Sequence, residues 1–161
     1  MIFRTPLLLS LGVGISVLAF CGISSALTRW RFPPATCIPE DSTSLSRIRY
    51  SAARLWSTGG TSNVACPIIA PWVTSQASTD TDVLYIDNSS STNLSCTHYW
   101  IDSEGDEAWS WGFTSSGNST DLNSFHVSSD NEFQSAAKTW RCTLPNSSNV
   151  FITNISYETS F

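Results

Sequence analysis

Lysine is almost missing from this chain: Lys138 is the only one in 161 residues, and Lys plus Arg number 8 against 13 Asp plus Glu, for a formal net charge of −5. So few cations argue against a nucleic-acid partner, whose phosphates call for a basic footprint. Histidine is nearly as scarce, at positions 98 and 126 only, and the sequence holds no G-x-S-x-G, no H-E-x-x-H and no phosphate-cradling glycine loop. Without such a motif no catalytic residue is assigned and no cofactor is implied. The enzymatic alternative is a small secreted hydrolase whose Ser, His and carboxylate meet only in three dimensions. There is also no C-x-x-C and no His–Cys spacing of the kind zinc needs.

What is abundant is small and polar or large and apolar. The chain carries 29 Ser, 17 Thr and 9 Asn beside seven Trp, and 41% of it is hydrophobic. That suffices for one domain with a core and argues against wholesale disorder.

The only long apolar run is at the start. Arg4 supplies a positive flank, Leu7 to Ile23 is uncharged, and Ser24, Ser25 and Ala26 are small enough for cleavage, so residues 1–26 read as a signal peptide. The mature chain would begin at Leu27 and be soluble outside the cytoplasm, extracellular or periplasmic. Two alternatives are an uncleaved membrane anchor and a lipid-modified Cys21, although Phe20 stands where a lipoprotein signal wants a small residue. Removing the leader turns five cysteines into four: Cys37, Cys66, Cys96 and Cys142. An even count in an exported chain predicts two disulfides. Of the three pairings, Cys37–Cys66 with Cys96–Cys142 is favoured, because the last two lie in strand-like runs able to be sheet neighbours.

Residues 27–46, with Pro33, Pro34 and Pro39, read as an extended lead-in without a helical stripe. From 47 to 161, short alternating runs predict eight strands of a single antiparallel β-sandwich: 47–52, 63–66, 83–87, 93–101, 107–114, 124–128, 138–144 and 150–157. Gly, Asn, Ser and Asp clusters punctuate them. One weak helical turn is expected over 130–137. The clearest hairpin joins 93–101 to 107–114, and an even-length loop puts Cys96, His98, Trp100, Trp109, Trp111 and Phe113 on one face. That face reads as core, since aromatic rows at strand spacing usually mark burial. The alternative is a platform on which sugar rings stack through Trp109 and Trp111. Trp72, in a Pro-Trp-Val loop, is a further candidate exposed ring.

Asp102, Glu104 and Asp106 crowd one turn and form a weak calcium candidate, more simply a solvated hairpin tip. Five N-x-[ST] sequons occur, where composition alone predicts roughly 2.6. Asn88, Asn118 and Asn146 fall in turns and are the better acceptors. Asn93 and Asn154 fall in expected strands.

Cys37 followed by Tyr50, Val64-Ala65-Cys66-Pro67, the strand at 83–87, Leu94-Ser95-Cys96-Thr97 and Trp140-Arg141-Cys142-Thr143-Leu144-Pro145 together resemble uncharacterised, secreted four-cysteine β proteins predicted from environmental bacterial genomes. The resemblance implies secretion, β architecture and the same disulfide pairing, and no activity. The functional expectation is a non-enzymatic structural or binding module of the cell exterior, its partner a polysaccharide or a cell-surface protein. A carbohydrate-binding module using exposed tryptophans is the alternative.

Overall fold

A computed structural model describes residues 27–68, 78–101, 104, 106–129 and 137–160. Its elements in chain order are β1 (Leu27–Phe32), a 3₁₀ turn (Pro34–Thr36), β2 (Ile38–Pro39), α1 (Ser42–Arg47), β3 (Ile48–Ser51), β4 (Arg54–Ser57) and β5 (Ser62–Ile68). They continue with β6 (Ser78–Asp87), β7 (Ser95–Ile101), β8 (Glu107–Thr114), β9 (Ser119–Ser129), β10 (Ala137–Leu144) and β11 (Ser147–Ser160). Every strand pairing is antiparallel. The first sheet runs β3-β4-β11-β6-β9, with β1 also on β11, and the second runs β2-β5-β10-β7-β8. The protein is thus a disulfide-linked all-β sandwich. Among the described residues no helix is long and apolar enough to cross a membrane.

Alternation sets the layers. In β10 the even-numbered Lys138, Trp140, Cys142 and Leu144 point inward and are buried, while Arg141 and Thr143 are exposed. Val83, Ile152, Ile155 and Tyr157 of the first sheet meet Val64, Cys66, Cys96 and Trp140 of the second in one core. Both disulfides link neighbouring strands of the second sheet. Cys96 and Cys142 are register partners in β7 and β10, and Cys37, just ahead of β2, joins Cys66 in β5.

The stretch 27–46 is more than a lead-in. Thr28, Trp30 and Phe32 alternate with Arg29 and Arg31, and β1 pairs with β11 from Leu27↔Ser160 to Phe32↔Ile155. The helix α1 also lies at its end, set by capping rather than by an apolar stripe: Asp41 accepts the Ser44 amide hydrogen at 2.6 Å. The helical turn expected over 130–137 falls outside the described residues up to 136, and Ala137 opens β10.

The loop from β8 to β9 turns on two successive left-handed residues, Gly117 (φ 75°) and Asn118 (φ 60°). Any Cβ at 117 would collide with the Ser89 carbonyl, so glycine is required there by space as well as by dihedral. The buried carboxylate of Asp87 accepts the Ser115 hydroxyl at the same end, and Asn118 donates its amide to Ser89 O at 3.0 Å. These bonds tie together the loops after β6 and β8.

Candidate functional site

The expected register of the β7–β8 hairpin is present: Cys96↔Phe113, His98↔Trp111 and Trp100↔Trp109, with a bulge before Ile101↔Glu107. The face does not behave as one unit. His98 and Trp100 on β7 are buried, whereas Trp109 and Trp111 on β8 are 37% and 55% exposed. Treating the whole row as core therefore fails at its outer end. The reason is position within the sheet: β7 lies between β10 and β8, while β8 is the edge strand. An inward-pointing side chain on an edge strand is covered from one side only.

Across the seam, the edge strand of the other sheet faces these rings. Trp109 and Trp111, with ring centres 5.9 Å apart, border a groove of about 370 Å³ with Phe125, His126, Val127 and Ser128 of β9. One end is closed where Phe113 stacks on Phe125 at 4.2 Å. Behind Trp109, its ring edge-on to Trp100 at 5.8 Å, the wall is packed. The groove thus offers two aromatic faces and an apolar floor beside a polar lip.

That lip is ordered. His126 Nδ1 lies 2.9 Å from Asp82 Oδ1 and its Nε2 3.6 Å from Asp80, while the Ser156 hydroxyl donates to Asp82 Oδ2 at 2.7 Å. Ser, Asp and His meet here, but not in the order a nucleophile needs. The hydroxyl bonds to the carboxylate and the imidazole lies on that carboxylate's other oxygen, so the histidine is not placed to take the serine's proton. The other histidine, His98, is buried, and neither ring nitrogen has a hydrogen-bond partner among the described residues. Burial, with a smaller push from the Lys138 ammonium, lowers its pKa to about 3.

Lys138 reaches into the core from β10, with Nζ 3.1 Å from Thr79 Oγ1 and 4.8 Å from the ring centres of both Trp100 and Tyr157. Burial pushes its pKa down to about 7, against the pull of ring faces that favour the cation. Burial likewise raises the Tyr157 phenol to about 12.

Of the remaining sequence candidates, Trp72 and Asp102 lie outside the described residues. Glu104 and Asp106 are exposed, and among the described residues no group of three or more His, Cys, Asp or Glu side chains is placed to hold a metal. Asn88, Asn118 and Asn146 are exposed in loops at one end of the sandwich, and the Asn146 side chain accepts the Gly59 amide hydrogen at 2.8 Å. Asn93 also lies in a loop rather than a strand, because β7 opens only at Ser95. Asn154 sits within β11 with a buried side-chain oxygen. The groove lies in the opposite half of the sandwich: His126 is seven residues along β9 from Ser119, about 24 Å at strand rise.

The exposure of Trp109 and Trp111 was not readable from alternation, which gives a face but not an edge. Asp80 and Asp82 read in the sequence as an acidic cluster on a polar loop, whereas both lie within β6, and nothing in the sequence joins them to His126, 44 residues beyond Asp82.

No protein family and no curated protein matches the sequence. Among solved structures, the chain is similar to a family 35 carbohydrate-binding module from Clostridium thermocellum, at 13% identity and TM-score 0.45, over 83% of this chain and 98% of that one. It is similar to the same degree to a xylan-binding module, at 13% identity and TM-score 0.45, over 83% and 96% of the two chains. A third similarity is to the enzymatically active domain of bacteriophage CBA120 tailspike protein 4, at 11% identity and TM-score 0.44. It covers 84% of this chain but only 19% of that one, so the chain spans about a fifth of the tailspike domain's length.

Proposed function

We propose that the protein is a non-catalytic binding module of the cell exterior and that its ligand is a carbohydrate held in the groove between β8 and β9. The observation that carries this reading is the pair of exposed indoles, Trp109 and Trp111, set 5.9 Å apart along one wall. A sugar ring presents an apolar C–H face, which packs on an indole, and a rim of hydroxyls, which need polar partners. His126 and Ser128 supply such partners beside the rings. Disulfides on adjacent strands suit an oxidising compartment, in keeping with export.

Titration with soluble polysaccharides, followed by tryptophan fluorescence and by retardation in polysaccharide-containing gels, tests the reading. Trp111→Ala is expected to weaken binding at least about tenfold, as the loss of a stacked ring does, with an unchanged unfolding midpoint. A protein that binds no member of a broad panel, or a Trp109→Ala, Trp111→Ala double variant that binds as well as the parent, refutes it.

A further inference from the structure

We infer that the binding path continues from the groove across the outer face of the first sheet and ends at Arg31, which receives an anionic substituent, so that the ligand is an acidic glycan. The inference rests on the carbohydrate reading above and goes further by naming the ligand's charge.

The path follows from register. Arg31 of β1 pairs with Ser156 of β11, Ser156 with Asp82 of β6, and Asp82 with His126 of β9. Four residues on four consecutive strands thus form one transverse row. Their sequence neighbours Phe32, Ile155, Val83 and Phe125 pair in the same order and pack on the core, so the row itself faces outward. From the first strand to the last the row spans three strand spacings, about 14 Å. A second hollow, of about 180 Å³, lies on this face between Arg29, Arg31, Asp82, Leu84, Ser124 and Ser156. The His126–Asp82 hydrogen bond is the wall shared by the hollow and the tryptophan groove.

The charges along the row are unevenly spread. Arg29 is paired with the buried Glu158. Asp82 accepts hydrogen bonds from Ser156 and His126, and Asp80 lies 3.6 Å from the same imidazole, so negative charge gathers at the β6–β9 end of the row and Arg31 stands at the other. Arg31 is exposed and, among the described residues, has no carboxylate partner. A guanidinium that lines a hollow and has no carboxylate partner among the described residues is matched by a carboxylate or sulfate ester, which it can hold through two parallel N–H···O bonds. With a net charge of −5, the protein as a whole repels polyanions, so a preference for one must arise at a local site.

The test compares matched pairs that differ only in charge: polygalacturonate against its methyl ester for carboxylate, and dextran sulfate against dextran for sulfate. The parent protein is expected to bind the acidic member of one pair at least about tenfold more tightly than the neutral member, with the preference shrinking as salt rises. Arg31→Gln is expected to abolish the preference while Trp111-dependent quenching persists, and Arg31→Lys to restore part of it. Which pair responds identifies the oxyanion. Equal binding of acidic and neutral members, or an acid preference that survives Arg31→Gln, overturns the inference and leaves the carbohydrate reading standing. A failure of Trp111→Ala to weaken any binding overturns that reading as well.

Discussion

At the residue scale, His98 shows how a side chain legible in sequence acquires its chemistry from its surroundings. Alternation put it on the apolar face of β7, and there it is buried against Trp140, ring centres 4.8 Å apart, with both nitrogens unpartnered among the described residues. Its pKa of about 3 lies below the ordinary 6.5, so between those values the unfolded chain takes up a proton that the folded one refuses. Its contribution is therefore complete above pH 6.5 and is lost as pH falls towards 3. By pH 4 this amounts to on the order of 3 kcal/mol. Urea unfolding at pH 7 and pH 4 checks it: the parent should lose more stability on acidification than His98→Phe, which has no imidazole to protonate. Equal losses would mean that the imidazole is already protonated in the folded protein.

Among the elements, what could be read was what repeats at period two. All eight expected strands exist, and 107–114 is bounded as β8 is. The three further strands, β1, β2 and β4, are six, two and four residues long; β1 and β2 depend on partners far along the chain, and β4 is a short arm between its hairpin neighbour β3 and the distant β11. In β1 the alternation of Trp30 and Phe32 with Arg29 and Arg31 was present but overshadowed by the prolines that follow. Those prolines come after the last paired residue, Phe32, where a missing N–H costs no ladder bond. The indole of Trp30 lies 5.6 Å from the ring of Tyr157 and packs against the core. Trp30→Ala should therefore destabilise the protein by about 2 kcal/mol, below the roughly 3–5 kcal/mol for losing a fully buried large aromatic, because this one is half-buried. An unchanged denaturation midpoint would show that β1 contributes nothing to the sandwich. Edge position, by contrast, has no local code. Trp109 and Trp100 are register partners of the same residue type, and which of them meets water depends on sheet order.

For the molecule as a whole, both disulfides stitch the second sheet, while the first sheet is held by hydrogen bonds, packing and the Arg29–Glu158 ion pair. The closed loops span 29 and 46 residues, for which chain entropy gives roughly 4 kcal/mol apiece. Two such losses approach the whole stability of an ordinary domain. Reduction under mild denaturant is accordingly expected to unfold the protein, seen as a collapse of near-ultraviolet dichroism, and a reduced chain that keeps its signal would contradict this. Even cysteine number foretold the pairs, but not that both would brace one layer. The pairing of Leu27 with Ser160 brings the two ends of the described chain side by side. A pull applied through those ends would load the β1–β11 ladder one hydrogen bond at a time, as a zipper, rather than all together in shear. The sandwich should yield first at that margin under low force, and the two covalent bridges would then act as mechanical stops that keep most of the second sheet's chain from extending.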